Sequence, residues 1–414
     1  MSDPSRPVQA AAPWAEAWRT IGVTGTNGKT STTALAASAV RASGRHVFWS
    51  STLGYCVDGV DVGLPRSWGS FLDAAEQCGS MGGRHAVVEV TSQALARGYA
   101  KRWRYDVGVF TNLSPDHFKT HGSWEHYLAS KAQLFVHLPE DGCAVLNARD
   151  PSARLIDAVT PPEVPRLWFG VPSRGAALRA EDLTATRVRV TRSGTEIRLG
   201  GSALAEALGG VLRIALVGEV FAENALAAAC AAHAAGIEPK AITVGLAVCG
   251  AVPGRFEVLS GETGPVVAVD YAHTPDALAR TCDTARALAG GGRVIVVFGA
   301  GGDTDAGKRG PMGEAVGMRA DVAVITTDNP RHEPAEDIAR QLAEGVTRGG
   351  RASVREEADR RSAIALAVAT ARPGDVVVIA GKGHETGQTI GEQTLPFSDR
   401  DEVRALLGRA TEAA

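Results

Sequence analysis

The sequence predicts an α/β protein made of two doubly wound units. Three observations carry this: short apolar runs alternating with helical patterns, a break in that rhythm near residue 250, and its resumption afterwards. In the first half "RTIGVTG", "HVFWSS", "HAVVEVTS", "DVGVFTN" and "GCAVLN" read as buried strands, with "KTSTTALAASAVRA" and "SWEHYLASKAQLFVH" as helices between them. Over residues 184–199, "TATRVRVTRSGTEIRL" alternates with period two about a Ser-Gly turn, which predicts an antiparallel hairpin. The Ala-rich "AENALAAACAAHAAG" reads as a helix, and "CGAVPGRFEVL" has the Gly/Pro punctuation of a boundary. Then "PVVAVDYA", "RVIVVFGAGG", "DVAVITTDN" and "DVVVIAGKG" form a second set of buried strands. The expected organisation is a tail over 1–18, a first unit over 19–249 and a second over 250–414.

Composition narrows the function classes. A chain of 414 residues that is 44% hydrophobic can fill two or three cores. A formal net charge of −3 argues against a general nucleic-acid binder. No apolar run approaches the ~20 residues of a membrane span, and the first residues lack the apolar core of a signal peptide. Six scattered cysteines without a CxxC pair fit reduced thiols in a cytoplasmic protein.

The stretch "GVTGTNGKTSTT" carries the first chemistry. A strand, a glycine turn and a helix succeed one another, as in a phosphate-binding loop. Gly25 and Gly28 let the backbone of Thr26 and Asn27 approach an anion, and Ser31 lies in the first helical turn. Lys29 suits terminal phosphates, and the Thr30 hydroxyl suits Mg²⁺. The spacing GxxGKT is two residues shorter between glycines than the common loop, so a plain glycine turn is the competing reading.

Lys131 raises a second question. It falls within the apolar stripe of "SWEHYLASKAQLF", at i+3 and i+4 from Leu128 and Tyr127. It must snorkel, find a partner, or be converted by CO₂ to a carbamate that can serve a hard cation as an oxygen ligand. Glu89 ends one strand, and Asp116 and His117 follow another, so both fall at the sheet edge beside the loop. Together these groups suggest a site for two Mg²⁺ ions.

These motifs, with "EVTSQAL", "FTNLSPDH", "VPGRFEV", "VDYAHTPDAL", "FGAGGDTDAGKRGPMG", "TTDNPRHE" and "AGKGHET", resemble the Mur ligase superfamily, and most closely its MurE-type members. The resemblance runs from residue 22 almost to the C-terminus. It implies a P-loop central domain with a mostly parallel sheet and a small antiparallel hairpin, followed by a Rossmann-like C-terminal domain. It implies that ATP converts a carboxylate to an acyl phosphate, which an amine then attacks. It assigns Thr30 and Glu89 to one Mg²⁺, and His117 and the carbamate on Lys131 to the other. Asn112 and Asn224 resemble residues near adenine, whereas Arg255, Asp270, Tyr271 and His273 resemble groups that close over ATP.

On the amine side, "DNPR" (Asp328, Asn329, Pro330, Arg331) matches the form associated with diaminopimelate. Arg331 can pair bidentately with a carboxylate. Arg309, Gly381 and Glu385 match positions that grip the rest of that amino acid, Glu385 facing the distal ammonium. The acyl side departs from the pattern. The family's Ser-Ser-His reads Thr91, Ser92 and Gln93; Tyr99 stands where an arginine is usual; Lys119 replaces an aspartate; Arg66 lies in a loop that commonly reads Thr-Thr-Gly. "GEVFAEN" also departs, where a Phe-Asn pair is usual.

About 20 residues precede the loop, too few for a domain, so the sequence predicts a chain without the UDP-sugar-binding module of MurE-type enzymes. The expected function is an ADP-forming ligase in specialised metabolism. It would join a non-UDP carboxylate, small or presented by a carrier or partner protein, to a diaminopimelate-like amino acid. Two alternatives stand: a cell-wall ligase whose UDP-binding part is a separate chain, and a non-catalytic ATP-binding assembly partner.

Overall fold

The protein is described by a computed structural model covering residues 17–114, 123–261 and 263–412. Among these residues the first half forms an eleven-stranded sheet. Its strands are β1 (Arg19–Thr24), β2 (Val47–Ser51), β3 (Gly54–Val57), β4 (Val60–Asp61), β5 (His85–Glu89), β6 (Val107–Phe110), β7 (Cys143–Asn147), β8 (Arg166–Gly170), β9 (Leu183–Thr191), β10 (Gly194–Leu199) and β11 (Val211–Ile214). Their order is β11-β10-β9-β8-β7-β6-β1-β5-β2-β3-β4. The interior is parallel from β9 to β2, and both margins are antiparallel. β5, β6 and β7 are buried on both faces, which is why they read as continuous apolar runs.

The predicted hairpin is β9–β10, with Thr191 opposite Gly194. The Ala-rich segment is the helix Glu219–Ala234, buried nearly all round, as expected of a helix without a polar face. The second half holds a six-stranded sheet: β12 (Glu257–Val258), β13 (Val266–Asp270), β14 (Val294–Phe298), β15 (Val322–Ile325), β16 (Ser353–Glu356) and β17 (Val376–Ala380), in the order β12-β13-β17-β14-β15-β16. A separate hairpin pairs β18 (Gly387–Ile390) with β19 (Gln393–Pro396). All six cysteines are free and buried. Burial pushes their thiols up, to about 11 at Cys56, Cys143 and Cys249 and about 12 at Cys78 and Cys282. No described helix is long and apolar enough to cross a membrane.

Candidate active site

A cleft between the two sheets is lined from both sides. Thr26–Ser31 and Glu89 face Arg255 and Tyr271–Thr274 across it. The loop lies at the carboxyl end of β1, Glu89 at that of β5 and Asp270 at that of β13, so strand ends of both units converge there.

The grip is held by its own backbone. Gly28 caps the helix Lys29–Ala42 at φ +85°, and a Cβ there would stand 2.4 Å from Asn224 Oδ1. Gly28 has no side chain to cap the helix, so the first-turn N–H groups are left uncapped where Lys29, Thr30 and Ser31 line the cleft. Thr26 N donates to the Asn112 carbonyl at 2.9 Å, and Asn27 N to Asn112 Oδ1 at 2.9 Å. Asn112 therefore braces the loop with its side chain, where the resemblance had placed it near adenine. Asn224 lines the cleft.

Of the expected metal-type donors, Thr30 and Glu89 meet. Thr30 Oγ1 donates to Glu89 Oε2 at 2.9 Å, and Thr52 N donates to the same oxygen at 3.1 Å. A hydroxyl and a carboxylate are hard oxygen donors, so this pair fits Mg²⁺. Lys131 is 1% exposed; its Nζ donates to the Gly25 carbonyl at 2.8 Å and sits 4.3 Å above the Tyr127 ring. Its ammonium thus reaches the grip and does not snorkel outward. His117 and Lys119 lie outside the described residues.

From the second half, Arg255 Nη2 donates to Thr30 Oγ1 at 3.0 Å while its guanidinium lies 4.7 Å from the Tyr271 ring centroid. His273 Nδ1 is 2.8 Å from the Tyr271 carbonyl oxygen. Asp270 lines the cleft with them and is also held from behind. Its carboxylate accepts from Phe256 N at 2.6 Å, Ala272 N at 2.9 Å and Thr281 Oγ1 at 3.0 Å, so it also shapes the turn after β13. Burial raises its pKa.

Three of the amine-side residues, Asp328, Asn329 and Glu385, converge around a buried lysine. Lys382, 0% exposed, donates to Asn329 Oδ1 at 2.8 Å and Glu385 Oε2 at 3.3 Å, with Asp328 Oδ1 at 3.8 Å. Asn329 Nδ2 also donates to Glu385 Oε2 at 3.1 Å. Gly381 has φ +114°, and a Cβ there would lie 2.5 Å from Asp328 Oδ2. Arg331 adopts φ +51°, and its Nη1 donates to the Gly302 carbonyl at 2.6 Å. Arg309 is 1% exposed and bound to Glu333 at 2.8 Å and to the Gly301 carbonyl at 3.2 Å. Its Nη atoms are held by protein acceptors, whereas its buried Nε has no hydrogen-bond partner among the described residues; the resemblance had given it a direct grip on the amino acid.

The acyl-side residues divide. Thr91, Ser92 and Gln93 line the cleft. Tyr99 packs edge-on to Trp68 at 5.2 Å, and Arg66 donates to the Ser51 carbonyl. Sequence reasoning missed Thr52, Tyr127, Lys382 and His384. Burial, then Arg255, pushes His384 down to about 4, so its ring is neutral beside Tyr271. The glycine-flanked Lys and His of "AGKGHET" were the available signal for the last two.

Residues 23–232 match the Mur ligase middle domain, and residues 254–383 match the Mur ligase, glutamate ligase domain. The chain belongs to the Mur ligase family. It is 38% identical to the UDP-N-acetylmuramoyl-L-alanyl-D-glutamate–2,6-diaminopimelate ligase of Geobacter metallireducens, over 94% of this chain and 78% of that protein. It is 37% identical to the ligase of the same name from Geobacillus kaustophilus, over 94% and 78%. A solved structure of a ligase of that name superposes with TM-score 0.65 at 31% identity, covering 95% of this chain and 79% of that one. Mycobacterium tuberculosis folylpolyglutamate synthase, at 20% identity and TM-score 0.67, shares the fold. A span of 78% of the relatives does not support the expected absence of a UDP-binding module. As a Mur ligase the chain is an ATP-dependent, ADP-forming ligase of carbon–nitrogen bonds.

Proposed function

We propose that this Mur ligase adds a diaminopimelate-type amino acid to the activated carboxylate of a UDP-muramoyl dipeptide. The observation that carries the amine is the joining of Asp328–Arg331 to Gly381–Glu385 around Lys382. The relatives named above supply the carboxylate, and they favour this reading over an acceptor from specialised metabolism. In this reading Lys29 and the grip hold the phosphates of ATP. Thr30, Glu89, His117 and a carbamate on Lys131 are the groups that would hold Mg²⁺, which would offset the repulsion between two anionic substrates. What supports a role for Lys131 here is its place in the wall of the cleft, beside Thr30 and Glu89. Arg255, Tyr271 and His273 close over the nucleotide. Arg331 faces an amino-acid carboxylate, and Glu385 faces the distal ammonium.

A second reading keeps the chemistry and amine but changes the acid to a smaller, non-UDP carboxylate. It is favoured by Gln93, which lines the cleft where the family carries histidine, and by Tyr99, which is packed on Trp68 where the family carries arginine.

Phosphate release with Mg²⁺, ATP, bicarbonate and diaminopimelate, with mass spectrometry of products, tests both. Turnover with UDP-muramoyl dipeptide establishes the first reading. Turnover confined to small acids replaces it with the second. Lys131→Ala should remove most activity, with partial recovery in acetate; full activity without additive would refute the carbamate.

A further inference from the structure

Glu223 lies on the helix Glu219–Ala234, inside the "GEVFAEN" segment where the sequence leaves the family pattern. Its side chain is 7% exposed. Arg174 Nε, from the same half, stands 3.2 Å from Oε1, and Arg280 Nη1, from the second half, donates to Oε2 at 3.2 Å. Arg280 also holds Asp276 at 3.0 Å, one turn earlier on the helix Pro275–Ala289. Asp276 Oδ2 in turn accepts from Asn27 Nδ2 of the grip at 3.2 Å. A continuous polar chain therefore runs from Arg174 through Glu223, Arg280 and Asp276 to the phosphate loop, crossing between the halves twice.

We propose that Glu223 is a positioning residue that locks the two halves together around ATP, acting through Arg280. A buried carboxylate is costly unless paired, and removing one partner leaves uncompensated charge. Separating the halves would strip Arg280 from Glu223 and leave it with Arg174 alone. It would also free Asn27 from Asp276. Both losses disfavour the open arrangement, so the network biases the molecule toward the form in which Arg255 and Tyr271 face the grip. Arg280 and Asn27 themselves line the cleft, so nucleotide and network share a wall. The proposal rests on the ATP-dependent ligase assignment and on neither choice of acid.

Arg280→Met is the first test, because Glu223 keeps Arg174 within its own half and that half can still fold. Glu223→Gln and the double variant complete a cycle. ATP affinity is measured by calorimetry with Mg²⁺ and a non-hydrolysable ATP analogue, and compaction by small-angle X-ray scattering. Each single variant is expected to bind the analogue about 10-fold more weakly, since only a fraction of molecules is closed. Each should also show a larger radius of gyration while remaining folded, with the melting temperature lowered where Arg280→Met leaves Glu223 with Arg174 alone. The double variant should be no worse than either single, because both break one link. Wild-type affinity and compaction in Arg280→Met would overturn the proposal, as would losses that simply add. If wild type itself fails to bind the analogue, the ATP assignment falls before the lock is in question.

Discussion

The two ends of the cleft are built on different principles. The phosphate end relies on backbone: glycines with positive φ, a helix N-terminus, and Asn112 bracing the loop from behind. The amine end relies on side-chain charge, with the buried Lys382 set between the carboxylates of Asp328 and the half-buried Glu385. Phosphate is recognised by its charge density, which fixed dipoles and a hard cation suit. An amino acid carries both signs at set distances, so its site needs charged groups of both signs held in place before it arrives. The contrast teaches that damage at one end should appear in the chemistry and at the other in substrate preference.

The largest expected effect is at the phosphate end. Lys29→Ala should cut ATP-dependent phosphate release by ~100-fold or more, since it deletes charge aimed at the developing transition state. Near-normal turnover would place Lys29 outside the site. Gly381→Ala should be next. Its Cβ would enter Asp328 Oδ2 at a backbone angle that favours glycine, raising the amine KM by about 100-fold while the ATP KM holds. Equal shifts in both constants would erase the division between the two ends. Arg331→Ala should raise the amine KM about 10-fold for a diamino dicarboxylate. A change in ATP affinity alone would move Arg331 to the other end.

Most inner strands were legible because burial on both faces leaves near-continuous Val, Ile and Ala, whereas β8, reading RLWFG, and the marginal β11 and β12 were not read as strands. The other elements not legible are short or exposed. β3–β4, β16 and β18–β19 carry no apolar run that separates them from loops. At the site, Thr30 and Glu89 could be read from spacing because strand ends converge in a parallel sheet. The commitment of Asn112, Asp270 and Arg309 to neighbouring protein groups could not, because motif position says nothing of which way a side chain is spent. Lys382 escaped notice for the same reason, since a lysine read alone is a surface residue by default.

The smallest effect lies away from the cleft and serves as a control. His85 opens β5, and burial, then Arg45 and Arg19, pushes its pKa down to about 4 from an ordinary 6.5. The unfolded chain takes up that proton first as pH falls below 6.5, so stability should be intact above that value and decline toward pH 4. His85→Gln should flatten part of that slope in melting temperature and leave both substrate KM values unchanged. An unaltered slope would show that His85 is not its source.

The six buried thiols bear on how the molecule reports its own state. None can ionise readily while packed, and a thiolate is the form that reacts with alkylating reagents. They are spread over both halves, from Cys56 in β3 to Cys282 in the helix Pro275–Ala289. Each therefore becomes a chemical clock for the opening of its own neighbourhood. Residue-by-residue alkylation rates would rank the parts of the enzyme by how often they open, with no label introduced.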